Sequence, residues 1–422
     1  MRHSFGFIIF FSIFTILMIL VAFISFDASI SIEDCLALDM PVLAIETEGA
    51  KKIKSREKYL KANYALIKAD GRAESGKCKI RGRGNTTWET RELYKKPYLL
   101  KLDEEKPLLG FPAARKWVLM ANTADKTSLR NFYAEHLASK IFGNFPWTPK
   151  SRYFSLFVNG QYEGLYALTE KIEAVAGRLP IREEEGSFLF EVNSRQDKDF
   201  NFKSENGVFF SLRTNLDFVS DEEFLRRQDF IQNAENILFD TILEKNSFSQ
   251  INWRSLFDLN SFIDWYLINE LTKNHDAQFK FSCYLYYNAE VGKIFMGPIW
   301  DFDISCGNIR WNDCENPEGF WVKDALWLKK LFENEEFVTL VKNRWLEKRA
   351  ELQKSIEWIE STSKKLKPSV MMNDAVWKNI GHRQWPHAPG WENRKTYESE
   401  VEYMTDWLEK RILWLDKAIS EL

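Results

Sequence analysis

Two aspartates stand one residue apart in the apolar segment GPIWDFDISCGN, which covers residues 297–308. If a buried strand carries them, Asp301 and Asp303 point to the same face, because side chains alternate along a strand. Two partly buried carboxylates repel each other and lose hydration, and a divalent cation relieves both costs. Oxygen ligands suit Mg²⁺ or Mn²⁺ rather than zinc. The motif therefore favours a metal site over the structural alternative, in which one aspartate caps a turn and the other pairs with an arginine.

A third acidic position lies upstream, in the segment NELTKNHDAQF of residues 269–279. Asp276 follows an apolar helix and precedes the hairpin that leads to Asp301. A carboxylate in such a loop can accept the proton of an attacking hydroxyl, and Asn274 can orient it or bind the metal. For His275 a solvated loop position is the stronger interpretation. The segment thus predicts a general base close to the metal site.

The segment IRGRGNTTW, residues 80–88, combines two glycines with two arginines. The backbone at Gly82 and Gly84 can approach a phosphate closely, and Arg81 and Arg83 can neutralise its charge. An ordinary turn is the alternative interpretation.

Three lysines are candidates for a further phosphate contact. Lys95 and Lys96 precede Pro97 on a predicted strand, and Lys171 ends a predicted hairpin. Most lysines are simply solvated, so each one alone has the weaker claim. Together, a glycine turn, a lysine, a loop aspartate and a metal-binding aspartate predict phosphoryl transfer. The order of elements fits a protein kinase, although the motifs GxGxxG, VAIK and HRD are absent from the sequence.

Composition narrows the classes of protein. The 422 residues allow two or three domains, and 15% aromatic residues indicate a large core or a ring-lined groove. A net charge of -3 gives no reason to expect nucleic acid as a partner. The five cysteines lack CxxC spacing, which argues against a zinc site. For Cys306 and Cys314, a disulfide and two free buried thiols both remain open.

The N-terminal segment FGFIIFFSIFTILMILVAFISF, residues 5–26, carries no charge and is long enough to span a bilayer as a helix. Arg2 precedes it and acidic residues follow it, so we expect the N-terminus in the cytoplasm and the rest of the chain outside. An uncleaved anchor is favoured over a cleaved signal peptide. Residues 1–28 are therefore expected to be a signal peptide or membrane anchor.

The rest of the sequence places strands first and helices last. Residues 153–173 form the clearest hairpin, with Asn159 and Gly160 in a type I′ turn. Ser128 is expected to cap an amphipathic helix. Further strands are expected at PVLAIET, YALIKAD, KKPYLLKL, KWVLMAN, GSFLFEV and GVFFSL, a second hairpin at residues 283–303, and helices at residues 221–245, at residues 261–274 (buried) and from about residue 323 onward.

Several longer motifs occur in a fixed order: RGRGNTTW, KKPYLLKL, WVLMANTADKTSLRN, VNGQYEGLYALTEKI, NHDAQF and GPIWDFDISCGN. With these motifs the chain, from about Cys78 to its helical end, resembles the CotH kinase family of spore coat protein H-like proteins. The resemblance implies an α+β, atypical protein-kinase-like fold with a strand-rich N-terminal lobe and a helical C-terminal lobe. It also implies transfer of phosphate from ATP to Ser or Thr of partner proteins.

The resemblance assigns expected roles to single residues. Asp276 resembles the catalytic-loop aspartate, and Asp301 resembles the metal-binding aspartate with Asp303 as a helper. Trp300 is placed to stack on the adenine. The lysine that contacts phosphate stays open among Lys96, Lys116 and Lys171.

We expect the CotH kinase-like domain at residues 36–322 and a helical segment packed on it at residues 323–422. The expected protein is an exported or membrane-anchored, metal-dependent kinase that acts outside the cytoplasm, in the periplasm or at the cell surface. Its expected cofactors are ATP with Mg²⁺ or Mn²⁺, and the N-terminal helix would contact the membrane. The alternative is a non-catalytic, pseudokinase-like scaffold or adhesin that binds protein or glycan.

Overall fold

Seven strands in the N-terminal half close into a barrel. The computed structural model describes residues 30–196, 200–213, 219–241 and 253–422. The barrel order is β1-β2-β3-β4-β5-β7-β6, and a parallel pairing of β1 with β6 closes it. The strands are β1 (Val42–Thr47), β2 (Leu60–Ile67), β3 (Ala73–Gly82), β4 (Tyr98–Lys106), β5 (Ala114–Met120), β6 (Ser151–Val158) and β7 (Gln161–Glu170).

Alternation of side chains builds the interior of this barrel. Along β2, Ala62, Tyr64 and Leu66 are buried, while the intervening positions are more exposed. Strands that bury one face show this period of two. The predicted hairpin of β6 and β7 is confirmed, with Asn159 and Gly160 both at positive φ (51° and 73°), as a type I′ turn requires.

A second, five-stranded sheet follows the barrel in the chain. Its order is β12-β11-β8-β10-β9, and every pairing in it is antiparallel. The strands are β8 (Phe188–Val192), β9 (Asn201–Lys203), β10 (Phe209–Leu212), β11 (Cys283–Asn288) and β12 (Lys293–Met296). The β11–β12 pair confirms the second predicted hairpin.

Helices dominate the C-terminal half, as the sequence predicts. The α-helices of the described residues are, in chain order, α1 (Ile32–Ala37), α2 (Thr86–Glu89) and α3 (Arg130–His136) in the N-terminal half, and α4 (Asp221–Thr241), α5 (Trp253–Leu256), α6 (Leu259–Thr272), α7 (Leu326–Leu331), α8 (Glu335–Trp377) and α9 (Tyr397–Ser420) after it. Helix α6 is buried from residue 261 to its end, which confirms the prediction of a helix inside the core. The predicted end of α4 near Lys245 lies outside the described residues.

The predicted cap of α3 is wrong. Ser128 has a positive φ of 58°, and the carboxylate of Asp125 takes the capping role instead. It accepts hydrogen bonds from the backbone N–H of Thr127 (3.0 Å) and of Arg130 (2.9 Å). A π-helical turn, Leu137–Phe142, continues α3 to Gly143. The cap thus comes from the loop before the helix, where an acidic side chain reaches several unpaired N–H groups.

One large buried cluster joins the middle of the chain to its C-terminal helices, and it includes Trp265, Leu352 and Leu408. The mixed α+β class, with strands first and helices last, is confirmed. The boundary at residues 322 and 323 stays a prediction. The apolar segment of residues 5–26 lies outside the described residues, and none of the helices in the described part is long and apolar enough to cross a membrane.

Candidate functional site

The two aspartates of GPIWDFD lie on a loop and not on a strand, so the predicted alternation is wrong. Strand β12 ends at Met296, and Gly297 makes the next ladder hydrogen bond, from its N–H to the carbonyl of Tyr284 (2.8 Å). Pro298 has no N–H with which to continue the ladder. Asp301 then adopts a positive φ of 66°. The loop itself, not strand periodicity, therefore decides where the carboxylates point.

The first turn of α3 holds this loop by its backbone. The N–H of Phe302 donates to the side-chain oxygen of Asn131 (2.8 Å), and the Arg130 guanidinium donates to the carbonyl of Ser305 (2.9 Å). The Asn308 amide donates to the carbonyl of Asp303 (2.7 Å). The sequence analysis missed Arg130 and Asn131. Their signal was two polar residues that open an otherwise amphipathic helix.

Three carboxylates share one electrostatic environment. Burial and the nearby charge of Asp276 raise the pKa of Asp301 to about 6, and Arg83 opposes that rise. Burial and the charges of Asp301 and Asp276 raise the pKa of Asp303 well above its usual range. The three aspartates that the sequence singled out therefore interact with one another electrostatically. Their mutual repulsion is what a bound cation would relieve.

Asp276 lies on a short turn, His275–Ala277, directly after α6. The Asp276 side chain contacts the imidazole of His275, with Oδ1 3.2 Å from Nδ1. His275 is not a solvated loop histidine, because its ring stacks on Trp321 with centroids 5.7 Å apart. Ser282 connects this region to the metal loop by donating to a carboxylate oxygen of Asp301 (3.3 Å).

Asn274 presents a buried oxygen that has no hydrogen-bond partner among the described residues. Its amide nitrogen donates to the side-chain oxygen of Asn269 (3.1 Å), which fixes the orientation of the amide. An orphan acceptor two residues before Asp276 is the kind of oxygen that a hard cation could use. In the described ranges, no three His, Cys, Asp or Glu side chains form a metal-ligand group. Mg²⁺ needs only one or two carboxylates when phosphate oxygens and water complete its coordination.

Three cations converge on one carboxylate at the barrel side of the site. Lys171 lies 3.1 Å and Lys116 3.7 Å from the same oxygen of Glu173, and Arg178 contacts the other oxygen. Burial lowers the pKa of Lys171 to about 8, Glu173 opposes this, and the charges of Lys116 and Arg213 contribute to it. Glu170 and Glu105 also act on Arg178, whereas Lys171 and Lys116 share the carboxylate of Glu173, so the two lysines are the candidates for contact with an anion.

Arg83 links the cationic side to the metal loop. Its guanidinium lies over the ring of Trp300, 5.0 Å from the centroid. Its positive charge also favours the ionised form of Asp301. Trp300 packs against an apolar cluster that contains Ile172 and Tyr284. The structure therefore brings Arg83, Trp300 and Asp301 together.

Gly84 and Lys96 have structural partners. Gly84 has a φ of 88°, and an added Cβ would lie 2.3 Å from the Thr87 hydroxyl oxygen. The Lys96 ammonium lies within 3.4 Å of three carbonyl oxygens at the end of α2, those of residues 87, 88 and 90. Lys95 is buried, and burial lowers its pKa to about 7. Among Lys96, Lys116 and Lys171, for which the phosphate contact was left open, Lys96 is therefore the least suited to contact a phosphate.

A buried ionic network supports the Asp276 loop from below. The Arg411 guanidinium donates to a carboxylate oxygen of Glu270 (2.6 Å) and to the carbonyls of Pro317 and Gly319. Glu270 in turn accepts the N–H groups of residues 321, 322 and 323. The sequence signal for this network was an acid near the end of an almost wholly apolar helix.

The family model described as CotH kinase protein matches residues 80–415. The chain belongs to the CotH kinase protein family. The match runs from the last three residues of β3 to most of α9, so it spans the whole candidate site of this CotH kinase family protein. No curated protein matches the chain.

Proposed function

We propose that this CotH kinase family protein is a metal-dependent protein kinase that transfers the γ-phosphoryl group of ATP to Ser or Thr hydroxyls. One observation carries the proposal: neighbouring charges run in sequence from a cation-rich cluster to a carboxylate cluster. Lys171 interacts electrostatically with Arg213, Arg213 with Arg83, and Arg83 with Asp301, while Glu191 pairs with Arg213 (3.1 Å). A triphosphate needs cations along its length and a metal-binding acid at its reactive end.

We call the surface to which Lys171, Arg83, Asp276, Asp301 and Asp303 contribute the groove, and we assign a separate role to each part of it. Asp301 and Asp303, with the orphan oxygen of Asn274, would hold Mg²⁺ or Mn²⁺. The ion supplies neutralisation of the phosphate charge when bound. Asp276 accepts the proton of the attacking hydroxyl, which requires its carboxylate to be ionised and within hydrogen-bond reach.

The nucleotide would lie along the remaining residues. Lys171 and Lys116 would contact the phosphates, because Glu173 leaves their combined charge only partly compensated. Arg83 would contact the phosphate nearest to Asp301. Trp300 and its apolar cluster would receive the adenine, since aromatic rings stack on flat bases.

The membrane and export proposals rest on the N-terminal sequence. The uncharged segment of residues 5–26 would anchor or export the protein, so that the groove faces substrates outside the cytoplasm. Partner proteins with accessible Ser or Thr are the proposed substrates, in the periplasm or at the cell surface.

The experiment is transfer of label from γ-labelled ATP to protein, with Mg²⁺ or Mn²⁺, for the full-length wild type and Asp276→Asn. We expect metal-dependent labelling that falls by about 100-fold or more in the variant, with ATP affinity nearly unchanged. Asp103→Asn, on an exposed part of β4, is the matched control and should label normally. Full labelling by Asp276→Asn, or loss of its ATP binding, would contradict the assigned role.

The same experiment separates the alternative function. ATP that raises the melting temperature of the wild type without any transfer of label would favour a non-catalytic scaffold. If ATP neither stabilises the wild type nor labels it, the protein does not use this nucleotide, and the proposed function is wrong.

A further inference from the structure

His275 lies between two polar side chains and two indole rings. Its Nδ1 faces Oδ1 of Asp276 (3.2 Å), and its Nε2 faces the amide nitrogen of Asn312 (3.0 Å). Its ring stacks on Trp321, and Trp311 meets it edge-on with centroids 6.1 Å apart. Only 21% of the His275 side chain is exposed.

These neighbours select one form of the imidazole. An ionised carboxylate only accepts hydrogen bonds, so Nδ1 must carry the hydrogen that lies towards Asp276. The Asn312 amide nitrogen only donates, so Nε2 must offer a lone pair. A hydrogen on Nε2 would face the amide hydrogens of Asn312. The two contacts together therefore specify the neutral tautomer with its hydrogen on Nδ1.

The aromatic rings fix the plane of the imidazole. Trp321 is itself held, because its indole N–H donates to the carbonyl of Asn274 (2.9 Å) and its backbone N–H donates to Glu270 (2.7 Å). The stack therefore ties the direction of the His275 Nδ1–H bond to the buried network beneath the loop.

We propose that His275 is a positioning residue that binds Oδ1 of Asp276 and thereby turns Oδ2 towards the acceptor hydroxyl. This inference rests on the proposed function. In the transfer step, the hydroxyl oxygen forms a bond to the γ-phosphorus as the bond from that phosphorus to the β,γ-bridging oxygen breaks. The hydroxyl proton moves to Oδ2 of Asp276, and ADP leaves with the bridging electron pair. Without the Nδ1–H donor, the carboxylate rotates and offers the proton either oxygen in poorer geometry.

The first test needs no activity. Full-length protein labelled with ¹⁵N at its five histidines is observed by NMR at neutral pH, and the His275 signals are assigned by their loss in His275→Phe. We expect a single neutral tautomer with the hydrogen on Nδ1. A hydrogen on Nε2, or fast averaging of the two forms, would overturn the inference, whether or not the protein proves to be a kinase.

The second test uses turnover and a matched pair of variants. His275→Phe keeps a flat ring against Trp321 but has no donor, while His275→Asn loses the ring but places an amide N–H near the position of Nδ1. We expect His275→Phe to lower kcat by about 10- to 100-fold with the KM for ATP nearly unchanged, as for other residues that orient a reacting group. His275→Asn should recover a large part of that loss.

Two results would contradict the positioning role. One is wild-type kcat in His275→Phe, which would show that the donor does nothing. The other is a His275→Asn variant as impaired as His275→Phe, which would show that an N–H donor near the position of Nδ1 recovers none of the loss. If the wild type itself transfers no label, the proposed function fails, and the NMR result alone decides whether His275 orients Asp276.

Discussion

Two clusters of charge are neighbours in the chain, one at Glu270 near the end of α6 and one at Asp276 in the turn that follows, and they are built in opposite ways. In the first cluster, Glu270 and Arg411 are almost fully buried, and their charges face each other or face backbone groups. In the groove, the like charges of Asp276, Asp301 and Asp303 act on one another, and the pKa values of the last two are raised. The first cluster is complete without a ligand, whereas in the second the charge of Arg83 does not offset the raised pKa values. We infer from this difference that the first cluster stabilises the fold and that the second is suited to bind a ligand.

The lysines show the same contrast. Lys96 has three carbonyl partners on α2, so its donors are already used within the protein. Lys171 and Lys116 share a single carboxylate with Arg178, so neither lysine has a carboxylate of its own in these contacts.

The largest expected effect comes from removing the cation of the buried pair formed by Glu270 and Arg411. Arg411→Met leaves Glu270 buried without its cation, and we expect the free energy of unfolding to fall by about 3–5 kcal/mol. Urea denaturation monitored by tryptophan fluorescence measures it. Arg349, which is 47% exposed and pairs with Asp416, is the control. Its replacement by Met should cost about 1 kcal/mol or less. An equal fall in the free energy of unfolding of the two variants would contradict the claim that the buried pair matters more for stability than the exposed pair.

The next effect separates the two kinds of lysine. Lys171→Met should weaken ATP binding by about 10- to 100-fold, which corresponds to about 1.5–3 kcal/mol for a hydrogen bond to a charged group. Lys96→Met should leave ATP affinity unchanged and lower stability, because three carbonyls lose their donor. Isothermal titration calorimetry and thermal unfolding of both variants measure the two quantities. The reverse pattern would assign the phosphate contact to Lys96.

The smallest effect is a pH dependence. The pKa of Asp301 is about 6 in the folded protein and near 3.8 in the unfolded chain, so the folded state holds a proton that the unfolded state has released. Stability from this group is present below pH 3.8 and is lost as pH rises through about 6. We expect the wild type to lose about 1 kcal/mol relative to Asp301→Asn across that window, because partial exposure reduces the effect. A difference that does not vary with pH would show that Asp301 is already compensated.

Much of this structure could be predicted from local sequence. Asn159 and Gly160 specify a hairpin because both can adopt positive φ, and α6 is predicted as buried because no face of it is polar. Asp301 and Asp303 could be selected because acidic side chains in an apolar segment are costly, and Asp276 because it follows an apolar helix in a loop.

The remainder depends on contacts between distant parts of the chain. Arg411 and Glu270 are 141 positions apart, so neither signals the other in the sequence. The same holds for Asn131 and Phe302, which are 171 positions apart. The closure of the barrel by β1 and β6 is also non-local. Asp301 lies on a loop and not on the predicted strand because Pro298 cannot continue the hydrogen bonds of the sheet. Local periodicity carries no information about any of these contacts.

The cysteines are a further feature for which the sequence left two interpretations open. All five are buried and none forms a disulfide, so the interpretation of Cys306 and Cys314 as free thiols is confirmed. Burial raises the pKa of Cys306 to about 11 and that of Cys314 to about 12, which makes both thiols poor nucleophiles.

The most direct measurement compares melting temperatures of wild type, Asp301→Asn and Asp264→Asn, with and without Mn²⁺ and ATP. Asp264 is a fully buried carboxylate that accepts from Arg344 (2.8 Å) and from the N–H of Asn144 (3.1 Å), and it is therefore the compensated counterpart of Asp301. We predict that Asp301→Asn melts no lower than wild type without ligand and gains no stability from Mn²⁺ with ATP. We predict that Asp264→Asn melts lower but is stabilised by the ligands as wild type is. An Asp301→Asn variant that is destabilised yet still stabilised by Mn²⁺ with ATP would contradict the account, because Asp301 would then be a structural residue.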